Sequence, residues 1–146
     1  VEISASPSAL IAGEATIIST KFSFSSSDVF DENDDIEVVV ELPPQLLFRP
    51  GTAEIKRPID DMDINPSAEV PCPGGTSFLR FTLDRSDLVD ANNPGGDADA
   101  ELRFTVDSLP PTGATVIAAA ASDDIVPFSC QSGVPAQATG SVTLLP

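Results

Sequence analysis

Apolar and polar side chains alternate with a period of two along most of the 146-residue chain, and no stretch of useful length shows the 3.6-residue spacing of an amphipathic helix. The pattern predicts strands over Val1–Ser6, stopped by Pro7, and over Glu14–Phe24, with Ile18, Thr20, Phe22 and Phe24 on one face. Ile36–Leu42 follows, with Ile36, Val38, Val40 and Leu42 on one face, then Thr52–Lys56. Further strands are predicted over Thr76–Leu83, with Phe78 and either Leu79 or Phe81 in the core, and over Ala100–Val106, with Leu102, Phe104 and Val106 inward. Ala114–Ala121 is a small-residue strand whose alanines permit close approach of a backbone or sheet, and Gly140–Leu145 is the last strand. Pro43-Pro44 cannot donate to a central ladder, so the chain leaves its sheet there, and Leu46, Leu47 and Phe48 re-enter apolar surroundings at once.

The connections are long and acidic. Ser25–Asp35 holds five acids, Arg57–Gly75 is proline-rich, and Asp84–Asp99 contains the turn signal Asn92-Asn93-Pro94-Gly95-Gly96 after a short helical turn expected around Ser86–Asp90. Asp123–Ala136 forms a further loop. Seven to eight short strands with such links predict an all-β, Ig-like antiparallel β-sandwich with long acidic loops, a single domain over residues 1–146. The length suffices to bury well over half of the unfolded surface. The first residue, Val1, with no basic and apolar leader, reads as a fragment or mature part of a larger secreted protein.

Charge narrows the partners. Seven basic residues against 23 acidic ones leave a net charge of −16, which opposes nucleic acid and anionic membranes. The longest apolar run, Val116–Ala121, is far short of the roughly 20 residues of a spanning helix, so no membrane insertion is expected.

Cys72 and Cys130 belong to no CxxC pair, and the chain has no histidine, so the usual zinc sets and a Cys–His nucleophile are unavailable. An acidic, Ser/Thr-rich, lysine-poor β chain reads as exported, which favours a Cys72–Cys130 disulfide over two buried thiols. Counting chain reversals places the two cysteines near opposite ends of the sandwich, so a bridge requires one long loop to run back along it.

The stretch Glu41-Leu42-Pro43-Pro44-Gln45-Leu46-Leu47-Phe48-Arg49-Pro50-Gly51-Thr52-Ala53, the early Gly13-Glu14-Ala15-Thr16, the strand Glu101–Val106 and the segment Thr112–Ser122 together resemble the bacterial cell-surface "conserved repeat" domain, the Ig-like domain of unknown function numbered eleven. The asparagine-glycine step of that family after its second strand is replaced here by SSSDVFDENDD. The resemblance implies an Ig-like module of secreted or surface-anchored bacterial proteins, often in tandem, and brings no catalytic residues with it.

Asp31-Glu32-Asn33-Asp34-Asp35 offers hard oxygen ligands at alternate positions. It is not an EF-hand loop, because Ile36 replaces the loop glycine and Leu42 the twelfth-position acid. If Thr52–Lys56 is not counted as a full-length strand, chain reversal brings the loops at Asp28–Asp35, Asp84–Asp99 and the one starting Asp123-Asp124 to one end. Asp31, Asn33, Asp34, Asp35, Asp123 and Asp124 are therefore the candidate calcium ligands, set against a solvated acidic rim.

Catalysis is not expected. Histidine, tyrosine and tryptophan are absent, the eight phenylalanines suit a core, and Asp60-Asp61-Met62-Asp63 reads as a solvated loop rather than an acid/base pair. The same lack of aromatic platforms disfavours a carbohydrate-binding module. Lys21 reads as a surface lysine rather than one end of an intramolecular isopeptide bond, and Phe30 and Phe48 as core plugs rather than anchors for a partner. The expected function is a non-catalytic structural module, a spacer or stalk, at the cell surface or outside the cell, with a protein partner or neighbouring repeats of the same chain. Two alternatives stand beside it: an adhesive or fibre-assembly module acting through acidic loops or a strand edge, and an accessory domain of a secreted hydrolase.

Overall fold

A computed structural model describes residues 1–24, 35–57, 60–89, 98–123 and 125–146. The strands are β1 (Glu2–Ser6), β2 (Ala9–Ile11), β3 (Ala15–Phe24), β4 (Asp35–Leu42), β5 (Leu46–Phe48), β6 (Glu54–Lys56), β7 (Asp61–Asp63), β8 (Ala68–Pro71), β9 (Ser77–Asp84), β10 (Ala98–Ser108), β11 (Gly113–Ser122) and β12 (Ala138–Leu145). The helical turn expected near Ser86 is a 3₁₀ turn over Arg85–Asp87. Two six-stranded sheets face each other. The first has the order β1-β3-β10-β6-β7 with β5 also on β10, and the second β2-β12-β11-β4-β9-β8. All pairs are antiparallel except β2–β12, where Ala9, Leu10 and Ile11 lie parallel to Thr143, Leu144 and Leu145.

The predicted long strands are all present, within a few residues of their expected ends. The total exceeds seven to eight because short edge pieces, β2, β5, β7 and β8, pair where the sequence offers only three or four residues of pattern. Pro43-Pro44 acts as anticipated. β4 ends at Leu42 in the second sheet, and the chain crosses to pair Leu46–Phe48 with Val106–Ser108 in the first. Asp61–Asp63, expected in a loop, is instead the edge strand β7, with Met62 opposite Ile55. An aspartate on either side of Met62 makes a poor template for a further strand, which protects that edge from unwanted pairing.

The main core lies between the sheets. Ile18 and Phe22 of β3 and Leu102, Phe104 and Val106 of β10 meet Ile36, Val38, Val40 and Leu42 of β4 and Leu79, Phe81 and Leu83 of β9. Thr20 shares the inward face of β3, fully buried, with its hydroxyl unpaired among the described residues. At one lateral side β1 lies against β12, where Gly140 packs closely: a Cβ there would stand 3.0 Å from the Ile3 side chain, which would have to shift to admit it.

Three strands depart from simple alternation. Val38, Val39 and Val40 are all buried, as are Phe78 together with Leu79, and Ile117 through Ala121 without interruption. Burial on both faces requires a cover outside the second sheet, and residues 125–137 provide it.

Candidate functional site

Residues 125–137 form a flap across the outer face of the second sheet. Beneath it, Val39, Phe78, Ala118 and Ala120 build a second apolar cluster with Val126 and Val134 of the flap, joined by Val70, Cys72 and Phe128. Phe78 and Phe128 sit with ring centroids 4.7 Å apart, and the Arg80 guanidinium lies 4.8 Å from the Phe128 centroid. Two carboxylates that alternation points outward from β4 accept backbone hydrogen bonds of the flap: Val126 N–H donates to Glu37 Oε2 at 3.0 Å and Val134 N–H to Glu41 Oε1 at 3.1 Å. Arg80 Nε lies 3.7 Å from Glu37 Oε2. Gly133 has a φ of +73°, a backbone conformation that glycine adopts freely and other residues rarely do, and a Cβ there would displace the tip of Glu41, 2.7 Å away at Oε1.

Cys72 and Cys130 are joined, with Cα atoms 5.6 Å apart across a sequence separation of 58. The long loop that must run back along the sandwich is this flap. Its far limb is fixed by Gln137, whose backbone N–H donates to the Ala119 carbonyl at 2.9 Å and whose side-chain Nε2 donates to the Ala121 carbonyl at 3.0 Å.

The outer face of the first sheet is charged instead. Cross-strand register places Glu2, Lys21, Glu101, Lys56 and Asp61 in one row over β1, β3, β10, β6 and β7, with signs alternating throughout. In the next row Arg103 lies between Ser19 and Glu54. Glu101 turns towards that second row: its carboxylate accepts from the Ser19 hydroxyl and from Arg103 Nε, the latter at 3.0 Å. Burial pushes the Glu101 carboxyl up, but the hydrogen bonds from Ser19 and Arg103 and the nearby positive charges outweigh it and hold the group below the usual glutamate range. Arg49 likewise, through its hydrogen bonds, holds Asp107 below the usual aspartate range.

Because both folded-state values are lowered, their stabilising contribution is complete above the ordinary carboxylate range near about 4 and is lost as pH falls through the folded values. Side-chain carboxyl NMR should give Glu101 a midpoint below the model-peptide value of about 4.3, rising in Ser19→Ala. A midpoint at or above that value in the wild type would refute the arrangement.

Of the candidate calcium ligands, Asp31, Asn33, Asp34 and Asp124 lie outside the described residues. Asp35 stands opposite Asp84 at the end of the β4–β9 ladder, and Asp123 follows Ser122, which pairs with Glu37, so these acids do share one end of the sandwich. No group of three or more Cys, Asp or Glu side chains close enough to hold a metal occurs among the described residues. Lys21 projects from the exposed face of β3 and does not reach the core. Phe48 is a core plug, packed edge-on against Phe104 at 5.6 Å, while Phe30 lies outside the described residues. Asp60 pairs with Arg57 at 2.8 Å and Asp61 lies 3.9 Å from Lys56, an arrangement of surface ion pairs.

The chain matches no protein-family model and no curated protein sequence. Its fold is shared with solved bacterial surface proteins. The major pilin SpaA of Corynebacterium diphtheriae superposes with a TM-score of 0.62 at 11% identity, over 82% of this chain and 30% of that one. The N-terminal domain of an adhesin of Streptococcus gordonii gives 0.57 at 11% identity, over 98% and 32%. The major pilin subunit of Bacillus cereus gives 0.52 at 14% identity, over 99% and 39%. The chain thus spans about a third of the length of each. Among the described residues no helix is long and apolar enough to cross a membrane.

Proposed function

We propose that this domain is a load-bearing module of an extracellular bacterial fibre or stalk, working by extension and contact with neighbouring modules. The observation that carries the reading is where the chain enters and leaves. β1 starts at Glu2 opposite Lys21, near the end of β3 that leads into residues 25–34. β12 finishes at Leu145 beside Ile11, at the other end of the sandwich. Tension between the two ends pulls β1 along β3 and β12 along β11, so the ladder hydrogen bonds of each pair are loaded together in shear rather than opened one at a time. The parallel β2–β12 contact adds a third pair under the same load. The fold common to pilins and an adhesin supports this class of role, and a disulfide suits an oxidising, extracellular setting.

Single-molecule extension of a tandem array, pulled through the first and last residues, tests the reading. Each module should unfold in a discrete step, and reducing the disulfide should lengthen that step by roughly 200 Å, the extended reach of the 58-residue separation it shortcuts. Gradual extension without force steps would overturn the load-bearing role.

A further inference from the structure

The outer face of the first sheet differs in charge from the molecule around it. Its first cross-strand row is Glu2, Lys21, Glu101, Lys56 and Asp61, on β1, β3, β10, β6 and β7 in that order. The next row over the same strands is Ser4, Ser19, Arg103, Glu54 and Asp63. All of these side chains are exposed or half-buried. The two rows hold three positive and five negative side chains, against seven and 23 in the whole chain, so this face is far closer to neutrality than the rest.

Both lysines have a carboxylate on either side in register, Lys21 between Glu2 and Glu101 and Lys56 between Glu101 and Asp61. A ligand of one sign would therefore meet as much repulsion as attraction. What the face offers is alternation, and the best complement of an alternating row is the same row displaced by one strand.

Two copies laid face to face are related by a two-fold axis in the plane between them. With that axis parallel to the strands, each row meets itself in reverse. An axis over a strand sets like against like: over β10, Glu101 faces Glu101 and Lys21 faces Lys56. An axis over the gap between β10 and β6 does the opposite. In the first row it sets Glu101 against Lys56 of the second copy and Lys21 against its Asp61; in the next, Arg103 against its Glu54 and Ser19 against its Asp63. Every charged pair is then of opposite sign, each occurs twice, and Glu2 lies beyond the overlap. The gap between β3 and β10 is a poorer choice, since it leaves Arg103 facing Ser19 and Glu54 facing Ser4. Two twisted sheets packed face to face cross at about 30°, which displaces the outer pairs by a few ångströms, within the reach of a flexible lysine.

We infer that the outer face of the first sheet is a self-association surface, pairing two copies of this chain about an axis over the β10–β6 gap, with Lys21 on Asp61 and Arg103 on Glu54 setting the register. The inference stands apart from the load-bearing reading, which concerns the two ends of the module, because a lone module can pair whether or not it carries load.

The test is sedimentation equilibrium and amide NMR of the full chain in about 0.15 M salt, where a Debye length of about 8 Å screens long-range repulsion between acidic chains and leaves close contacts. The wild type should pass from monomer to dimer between micromolar and millimolar concentration, with shifts on dilution centred on Glu54, Lys56, Glu101 and Arg103 rather than on the flap. Lys21→Glu alone and Asp61→Lys alone should each weaken self-association by about tenfold or more, because each turns two attractive contacts into repulsive ones. An equimolar mixture of the two variants should recover the wild-type association, since the exchanged signs then face each other again. A net-charge effect cannot produce that recovery, because Asp61→Lys by itself already makes the chain less acidic. Both positions are exposed, and unchanged amide spectra of the dilute variants would establish that they fold. A monomer up to millimolar concentration, unchanged association in either variant, no recovery in the mixture, or shifts centred on another surface would each overturn the inference.

Discussion

Replacing Cys72 and Cys130 together by serine should lower stability by about 4 kcal/mol, the chain-entropy value for a closed loop of this length. For a domain of this size that corresponds to a fall in Tm of roughly 8–16 °C. The effect has a second, local component. The flap over residues 125–137 is held by a small apolar cluster, two N–H bonds to Glu37 and Glu41, and the Gln137 contacts with β11. Without the covalent tie at Cys130, amide exchange should quicken in the flap well before it does in β3 or β10, which belong to the main core. Differential scanning calorimetry and hydrogen exchange on the double variant would check both parts. An unchanged Tm, or uniform acceleration across the molecule, would contradict the picture of a tethered cover on an independent sandwich.

Phe104→Ala should cost about 3–5 kcal/mol, the range for truncating a well-packed core aromatic. Phe104 is 1% exposed and joins the two sheets: its ring stacks on Phe81 of β9 with centroids 6.1 Å apart and meets Phe48 of β5 edge-on at 5.6 Å. Removing it opens a cavity bounded by both sheets and by the β5 crossover, where relaxation of one wall is resisted by the others. Against a typical total of about 5–15 kcal/mol, the variant should be close to the limit of folding. Its urea midpoint should drop sharply with the m-value unchanged, and Phe104→Leu, which keeps most of the volume, should lose less than half as much. A loss under about 1 kcal/mol for Phe104→Ala would mean that the ring is not the bridge between the sheets.

The sandwich was legible because the long strands obey two-residue alternation and because Pro43-Pro44 marks a forced exit from the ladder. The flap was not, although its signature is there. A strand with one solvated face cannot carry Val38-Val39-Val40 or Ile117 to Ala121 without a break, so these runs are the mark of a covered outer face. The ambiguity over Leu79 and Phe81 has the same origin: both point into the main core, and Phe78 fills the second cluster on the opposite side. Glu37 and Glu41 read as solvent-facing acids by alternation, and only the returning chain turns them into acceptors for its N–H groups. Cross-strand charge rows are invisible in one dimension, since Lys21, Glu101 and Lys56 become neighbours only through register.

The flap gives the module a covered back and a front that, among the described residues, carries no such flap. A neighbour approaching sideways meets a tied-down chain on one broad face and, on the other, strands whose charges stand in ordered rows. With its ends already pointing in opposite directions, the domain has a direction along its length and a distinct front. A contact made through the front alone would pair two modules face to face and stop there, so it could not extend as a layer through both faces.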